Sequence, residues 1–123
     1  MRLVVTGGRD FRDKEYVYEC LDRIHRDRPI TTLIQGGATG ADSLAYQWAI
    51  SKNILSISEP IYYADSVRYG GRAGPRRNQR MLDLHYPDAI AIFPGGNGTR
   101  DMISRCKHLI TYDFWKDYYV QSS

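Results

Sequence analysis

The sequence predicts an α/β fold, a Rossmann-like three-layer domain with a parallel sheet of four to five or more strands. Three observations predict it. Short apolar runs alternate with segments of helical period along the chain. The runs are short and for the most part unalternated, the pattern of strands buried on both faces, as in parallel sheets covered by helices. Glycine pairs follow the first, second and fourth runs, where each strand gives way to a helix.

The elements follow in order. Leu3-Val4-Val5 reads as the first strand and stops at Gly7-Gly8. Val17, Cys20, Leu21 and Ile24 keep a helical period that Asp27-Arg28-Pro29 ends. Thr31 to Ile34 is the second strand, stopped by Gly36-Gly37. Ala41, Leu44, Ala45, Trp48 and Ala49 draw one apolar stripe, so the next helix buries that face. Ile54 to Ile57 is a third strand interrupted by serine. From Glu59 to Gly74 the pattern dissolves into a loop rich in Gly, Tyr and Arg, and Pro75 opens a helix carrying Arg77, Met81 and Leu82. Ala89 to Phe93 is the fourth strand, and Met102, Ile103 and Cys106 mark the helix after it. Leu109-Ile110 suggests a fifth strand, and an aromatic tail begins at about 111. Right-handed crossovers give the strand order 3-2-1-4, in one domain spanning 1–123.

Composition bounds the function. The chain is 42% hydrophobic and 25% charged, as in ordinary globular proteins, with no apolar run long enough to cross a membrane. Cys20 and Cys106 lie far apart, match no metal spacing and fall on apolar helix phases; two buried free thiols fit a reducing, cytoplasmic setting. His25, His85 and His108 are scattered, so no metal or cofactor is expected. The net charge of +3 is modest, but Arg68, Arg72, Arg76, Arg77 and Arg80 fall between Ser66 and Leu82 with no acid among them. Such a cluster suits an anionic ligand, a solvated face or nucleic acid.

The glycines favour the first of these. In a parallel sheet the Gly7-Gly8, Gly36-Gly37 and Gly95-Gly96 turns share the carboxyl edge, where ligands bind such folds. Glycine lets backbone N–H groups approach an anion, and the following helix N-terminus adds free donors. The chain contains no G-x-x-x-x-G-K-[ST] and no G-x-G-x-x-G after the first strand, which removes the common P-loop and dinucleotide signatures. A phosphate over Gly95-Gly96-Asn97-Gly98-Thr99, met by Arg77, is the sharp reading; Gly36, Gly37 and Asp42 then face the rest of the ligand, with Gly8 and Arg9 at the floor. Asp42 and Asp101 are also read as first-turn helix acids, Thr99 as an N-terminal helix residue, and Arg9-Asp10 as an ion pair.

The segments TGGRD, GGATGAD, GPRRNQRM and PGGNGTRD, in that order over about residues 3–110, resemble the SLOG superfamily of DNA-processing SMF/DprA proteins and cytokinin-activating LOG enzymes. The resemblance is strongest to small single-domain members of the YspA type. It implies a Rossmann-like fold, a nucleotide or nucleotide-derived ligand, and homodimers or larger homo-oligomers. LOG enzymes cleave the N-glycosidic bond of nucleoside 5'-monophosphates with an arginine and an acid after PGG-x-GT; here the arginine corresponds to Arg77, and the acid nearest that position is the neighbouring Asp101. The chain departs from that pattern twice: Asn78 stands for its lysine and Met102 for its glutamate.

Three functions therefore remain. The first is a nucleotide-binding sensor or sequestering module. The second is a LOG-type hydrolase with Arg77 and Asp101 catalytic. The third, and least favoured for so small a charge, is a nucleic-acid binder. The aromatic tail Tyr112 to Tyr119 is expected to cover its own domain or a partner subunit.

Overall fold

In the computed structural model, which describes residues 1–121, the chain runs β1 (Arg2–Thr6), α1 (Lys14–Asp27), β2 (Thr32–Gln35), α2 (Ala41–Ser51) and β3 (Leu55–Ser58). It continues α3 (Tyr63–Tyr69), α4 (Ala73–His85), β4 (Ala89–Ile92), α5 (Asn97–Arg105), β5 (Ile110–Asp113) and α6 (Phe114–Gln121), with a 3₁₀ turn at Gly70–Arg72. All strand pairs are parallel and the order is β3-β2-β1-β4-β5, the predicted order with the fifth strand added beside β4.

The twofold period of the central strands splits the core in two. Leu3, Val5, Leu33, Ala89 and Ala91 face α1 and α2, where Val17, Leu21, Ile24, Ala45 and Trp48 are buried. Val4, Ile34, Ile90 and Ile92 face α4 and α5 and meet Met81, Met102 and Cys106. Each apolar run thus feeds both layers, which is why none of them alternates with polar residues. The indole N–H of Trp48 donates to Asp22 at 2.9 Å, so burying that ring leaves no donor unpaired. Asp13 caps α1 by accepting from the Tyr16 amide at 3.1 Å. Both cysteines are buried free thiols.

Two expectations need correction, and one alternative is resolved. The stretch 59–74 is not a bare loop, because it holds α3 and the 3₁₀ turn; α4 begins at Ala73, two residues before Pro75. Helix α3 buries none of its residues, so it has no apolar period to read. Its hold is polar: Arg80 donates to Asp65, to the Pro60 carbonyl and to Glu59. Asp101 is not in a first turn, since α5 starts at Asn97 and carries no acid there. The tail is ordered as part of β5 and all of α6, and it covers its own domain. Phe114 is buried against Phe93, the Tyr16 hydroxyl donates to the Phe114 carbonyl at 2.7 Å, and the Tyr118 ring meets Tyr16 and Phe11 edge-on. Part of the tail's aromatic surface is thus buried within the fold, while Tyr119 stays exposed.

Candidate functional site

Three strand ends converge on one edge. Because the strands are parallel, β1, β2 and β4 all exit there, into Gly7-Gly8, Gly36 and Pro94-Gly95. The turns are bonded to each other. The Gly8 amide donates to the Pro94 carbonyl at 2.7 Å, and the Gly8 carbonyl accepts from Ala41 at 3.1 Å, where α2 begins.

Glycine is required at the closest approaches. A Cβ on Gly95 would collide with the Thr99 hydroxyl and lie 2.8 Å from the Gly8 nitrogen. Gly40, at φ +76°, sits so close on the turn after β1 that a Cβ would lie 2.5 Å from the Arg9 carbonyl carbon.

Between the turns opens a cleft of about 680 Å³, lined by residues of β1 and the three turns together with Arg77, Asn78 and Met81 of α4. Of the predicted residues, Gly8, Arg9, Gly36, Asp42, Arg77, Gly95, Gly96, Gly98 and Thr99 line it. Gly37, Asn97 and Asp101 do not line it. Gly37 turns away at φ +73°, toward Pro60 and Ser58.

Two helices present their N-termini at this edge. Neither α2, capped by Gly40, nor α5, capped by Gly96, has a side-chain cap. The first amides of a helix have no partner within it, and the helix dipole adds positive potential there. Arg9 and Asp10 both line the cleft.

Arg77 crosses the cleft from α4. Its Nη1 donates to the Gly36 carbonyl at 2.7 Å and to the Glu59 carbonyl at 3.3 Å, and its Nε donates to Asn78 at 3.1 Å. The guanidinium thus rests on the β2 side of the cleft and not on the Gly95 turn. Burial pulls its pKa down, against the raising effect of Asp42.

Asp42 lies on the same side, 7% exposed, in the first turn of α2. Its Oδ2 accepts from the amides of Gly36 at 3.1 Å and Ala38 at 3.3 Å, so it fastens the turn after β2 and does not cap its own helix. Burial pushes its pKa up to about 6, although those amides, Arg77 and Arg9 pull the other way.

Asn78, which sequence reasoning noted only as a replaced lysine, ties α4 to α5. Its Nδ2 donates to the Gly98 carbonyl at 3.2 Å and to Asp101 at 3.0 Å. Asp101 also holds Arg105 through both oxygens, at 2.8 and 3.2 Å, and that arginine first, with Asn78, keeps its carboxyl below the usual range. Met102, at the position of the expected glutamate, is fully buried in the core with Ile90 and Ile92.

The family profile described as the YspA, cpYpsA-related SLOG family matches residues 1–60. The Gene 61 protein of Mycobacterium phage D29 is 33% identical over 104 residues, which cover 80% of this chain and 82% of the phage protein. The chain belongs to the SLOG superfamily. The segment matched by the profile contains β1 to β3 of this SLOG domain, with the Gly7 and Gly36 turns and Asp42. In structure the domain is similar to DNA processing protein A (DprA) from Streptococcus pneumoniae, with a TM-score of 0.67 at 14% identity. That match covers 87% of the SLOG chain but 47% of DprA, so the chain spans about half of that protein's length and shares its fold.

Proposed function

We propose that this protein binds a nucleotide or nucleotide-derived small molecule, with a phosphate over the turn between β4 and α5. One observation carries the reading. The uncapped N-terminus of α5, the Gly8 and Gly95 backbone and two arginines all border a single cleft. Its volume of about 680 Å³ suits a nucleotide-sized ligand. Arg77 is already inside that cleft; turning from the Gly36 carbonyl to a phosphate exchanges a neutral acceptor for a charged one, a stronger bond.

Binding without turnover is the favoured form. A LOG-type cleavage needs an acid facing the ribose from α5. The residue at that position is Met102, buried in the core, and the neighbouring Asp101 is held by Arg105 and Asn78 outside the cleft lining.

Calorimetry across nucleoside monophosphates, dinucleotides and cyclic nucleotides tests the reading. At least one should bind, and Arg77→Ala should weaken it at least about tenfold, the loss of one charge-assisted contact. Arg77→Lys should recover only part, because an ammonium lacks the planar fork. The reading fails if nothing binds, or if Arg77→Ala binds as the parent does.

A further inference from the structure

The wall of the cleft opposite α5 holds an acceptor with nothing to accept. Both backbone donors that reach Asp42 converge on Oδ2; Oδ1 accepts no hydrogen bond from the described residues. Among those residues the one sealed side-chain polar atom without a partner is Ser56 Oγ, so Oδ1 of Asp42 opens on the cleft. Arg77 is near but does not fill it. Its Nη1 and the Asp42 Oδ2 flank Gly36, at 2.6 and 3.0 Å from where a Cβ would stand, yet that nitrogen donates to two carbonyls.

Asp42 is otherwise buried, so this open oxygen, with no donor from the described residues, is the part of the carboxylate placed to accept from a ligand. We propose that Asp42 Oδ1 accepts a hydrogen bond from a sugar hydroxyl, so that the site reads a hydroxylated pentose phosphate. This rests on the phosphate reading above.

Spacing supports a sugar over a base. Strands β2 and β4 flank β1. Adjacent strands lie about 4.8 Å apart, so the two turns are separated by roughly 10 Å. A hydrogen bond of about 3 Å at each end leaves roughly 4 Å between the ligand atoms. A hydroxyl on the pentose that carries the phosphate comes nearer to that gap than a base amine does. The acceptor also selects against charge: a second phosphate on that hydroxyl would face the Asp42 carboxylate.

Calorimetry at pH 7.5 with ribose 5-phosphate, its 2-deoxy and 3-deoxy analogues, and inorganic phosphate decides the matter. At least one deoxy analogue should bind wild type about tenfold more weakly than ribose 5-phosphate, as expected for a hydrogen bond to a charged group. Asp42→Asn should narrow that gap, because an amide oxygen accepts more weakly than a carboxylate. The ligand series uses wild-type protein, so it stands even if the variant folds poorly. Ribose 5-phosphate and both deoxy analogues binding alike would overturn the inference while leaving the phosphate site intact. If neither ribose 5-phosphate nor inorganic phosphate binds, the phosphate reading falls and this inference falls with it.

Discussion

Replacing Gly40 by alanine should be among the most damaging single-methyl changes in this fold. Gly40 holds φ +76° and ψ −130°, a conformation that L-residues avoid. Forcing a side chain into such backbone costs about 1–3 kcal/mol. The added Cβ would also stand 2.5 Å from both the carbon and the oxygen of the Arg9 carbonyl, and would overlap the Gly8 oxygen. Those atoms are backbone and are tied to α2 through the bond from Ala41 to Gly8, so relief requires the turn and the helix to part. Overpacking of that kind costs a further ~1–3 kcal/mol, which makes the expected loss about 4 kcal/mol. That is a large share of the 5–15 kcal/mol typical of a domain. Urea denaturation followed by circular dichroism measures it, with the slope unchanged and the midpoint lowered. Gly98→Ala is the control: a Cβ there meets nothing within 4 Å, and the residue is helical. It should gain about 0.5–1 kcal/mol. A loss at Gly40 below about 1 kcal/mol, or similar losses at both sites, would refute the account of how these turns interlock.

Asp42→Asn should be more stable than wild type at pH 7.5. The folded protein keeps the Asp42 proton up to about pH 6, while the unfolded chain releases it near 3.8, so wild-type stability falls as pH rises through that window. The variant escapes a penalty of roughly 3 kcal/mol at most, and urea midpoints should converge by about pH 4. Asp101→Asn behaves oppositely. Its folded pKa is lowered, so its contribution is present above the unfolded value and is lost as pH falls through the folded one. The variant should cost about 1 kcal/mol at neutral pH and nothing in strong acid, and calorimetry should find ligand affinity within about twofold. Phe114→Ala should cost about 3–5 kcal/mol in the same denaturation assay, because β5 and α6 seal the core through that ring. A near-neutral result would mean that the C-terminal segment is dispensable.

Sequence reading succeeded where one element's own pattern carries the answer. The apolar runs at Val4, Ile34 and Ile90 and the stripe through Ala45 and Trp48 declare strands and a helix face, and crossover handedness then orders the sheet. That order is enough to bring Gly8, Gly36 and Gly95 to one edge. It failed where a position depends on two elements at once. Helix α3 has no buried face, and its place is set by Arg80, fifteen residues beyond Asp65. Asn78 looks like a spare amide on an arginine-rich helix until α4 meets α5 and turns it onto Gly98 and Asp101. Asp101 was misplaced by the run Gly96-Asn97-Gly98, which reads as a turn; starting α5 at Asn97 moves the acid beyond the first turn and into reach of Arg105.

The charges left in the cleft argue that this edge of the sheet is kept for something other than stability. Asp42 and Arg77 are both shifted chiefly by burial, the acid upward and the base downward. Each shift is in the direction that disfavours charge. Their mutual attraction acts the other way on both, but burial outweighs it, and no ion pair joins the two. Arg77 instead spends its donors on the carbonyls of Gly36 and Glu59, and Asp42 spends one oxygen on backbone amides. For both, burial outweighs the bonds and charges around them. The contrast with Asp101 and Arg105 is instructive: that pair shifts toward charge on both sides, and it lies outside the cleft lining. A structural pair settles its own electrostatics, whereas Asp42 and Arg77 fit the proposed ligand, which would bring a hydroxyl to one and an anion to the other.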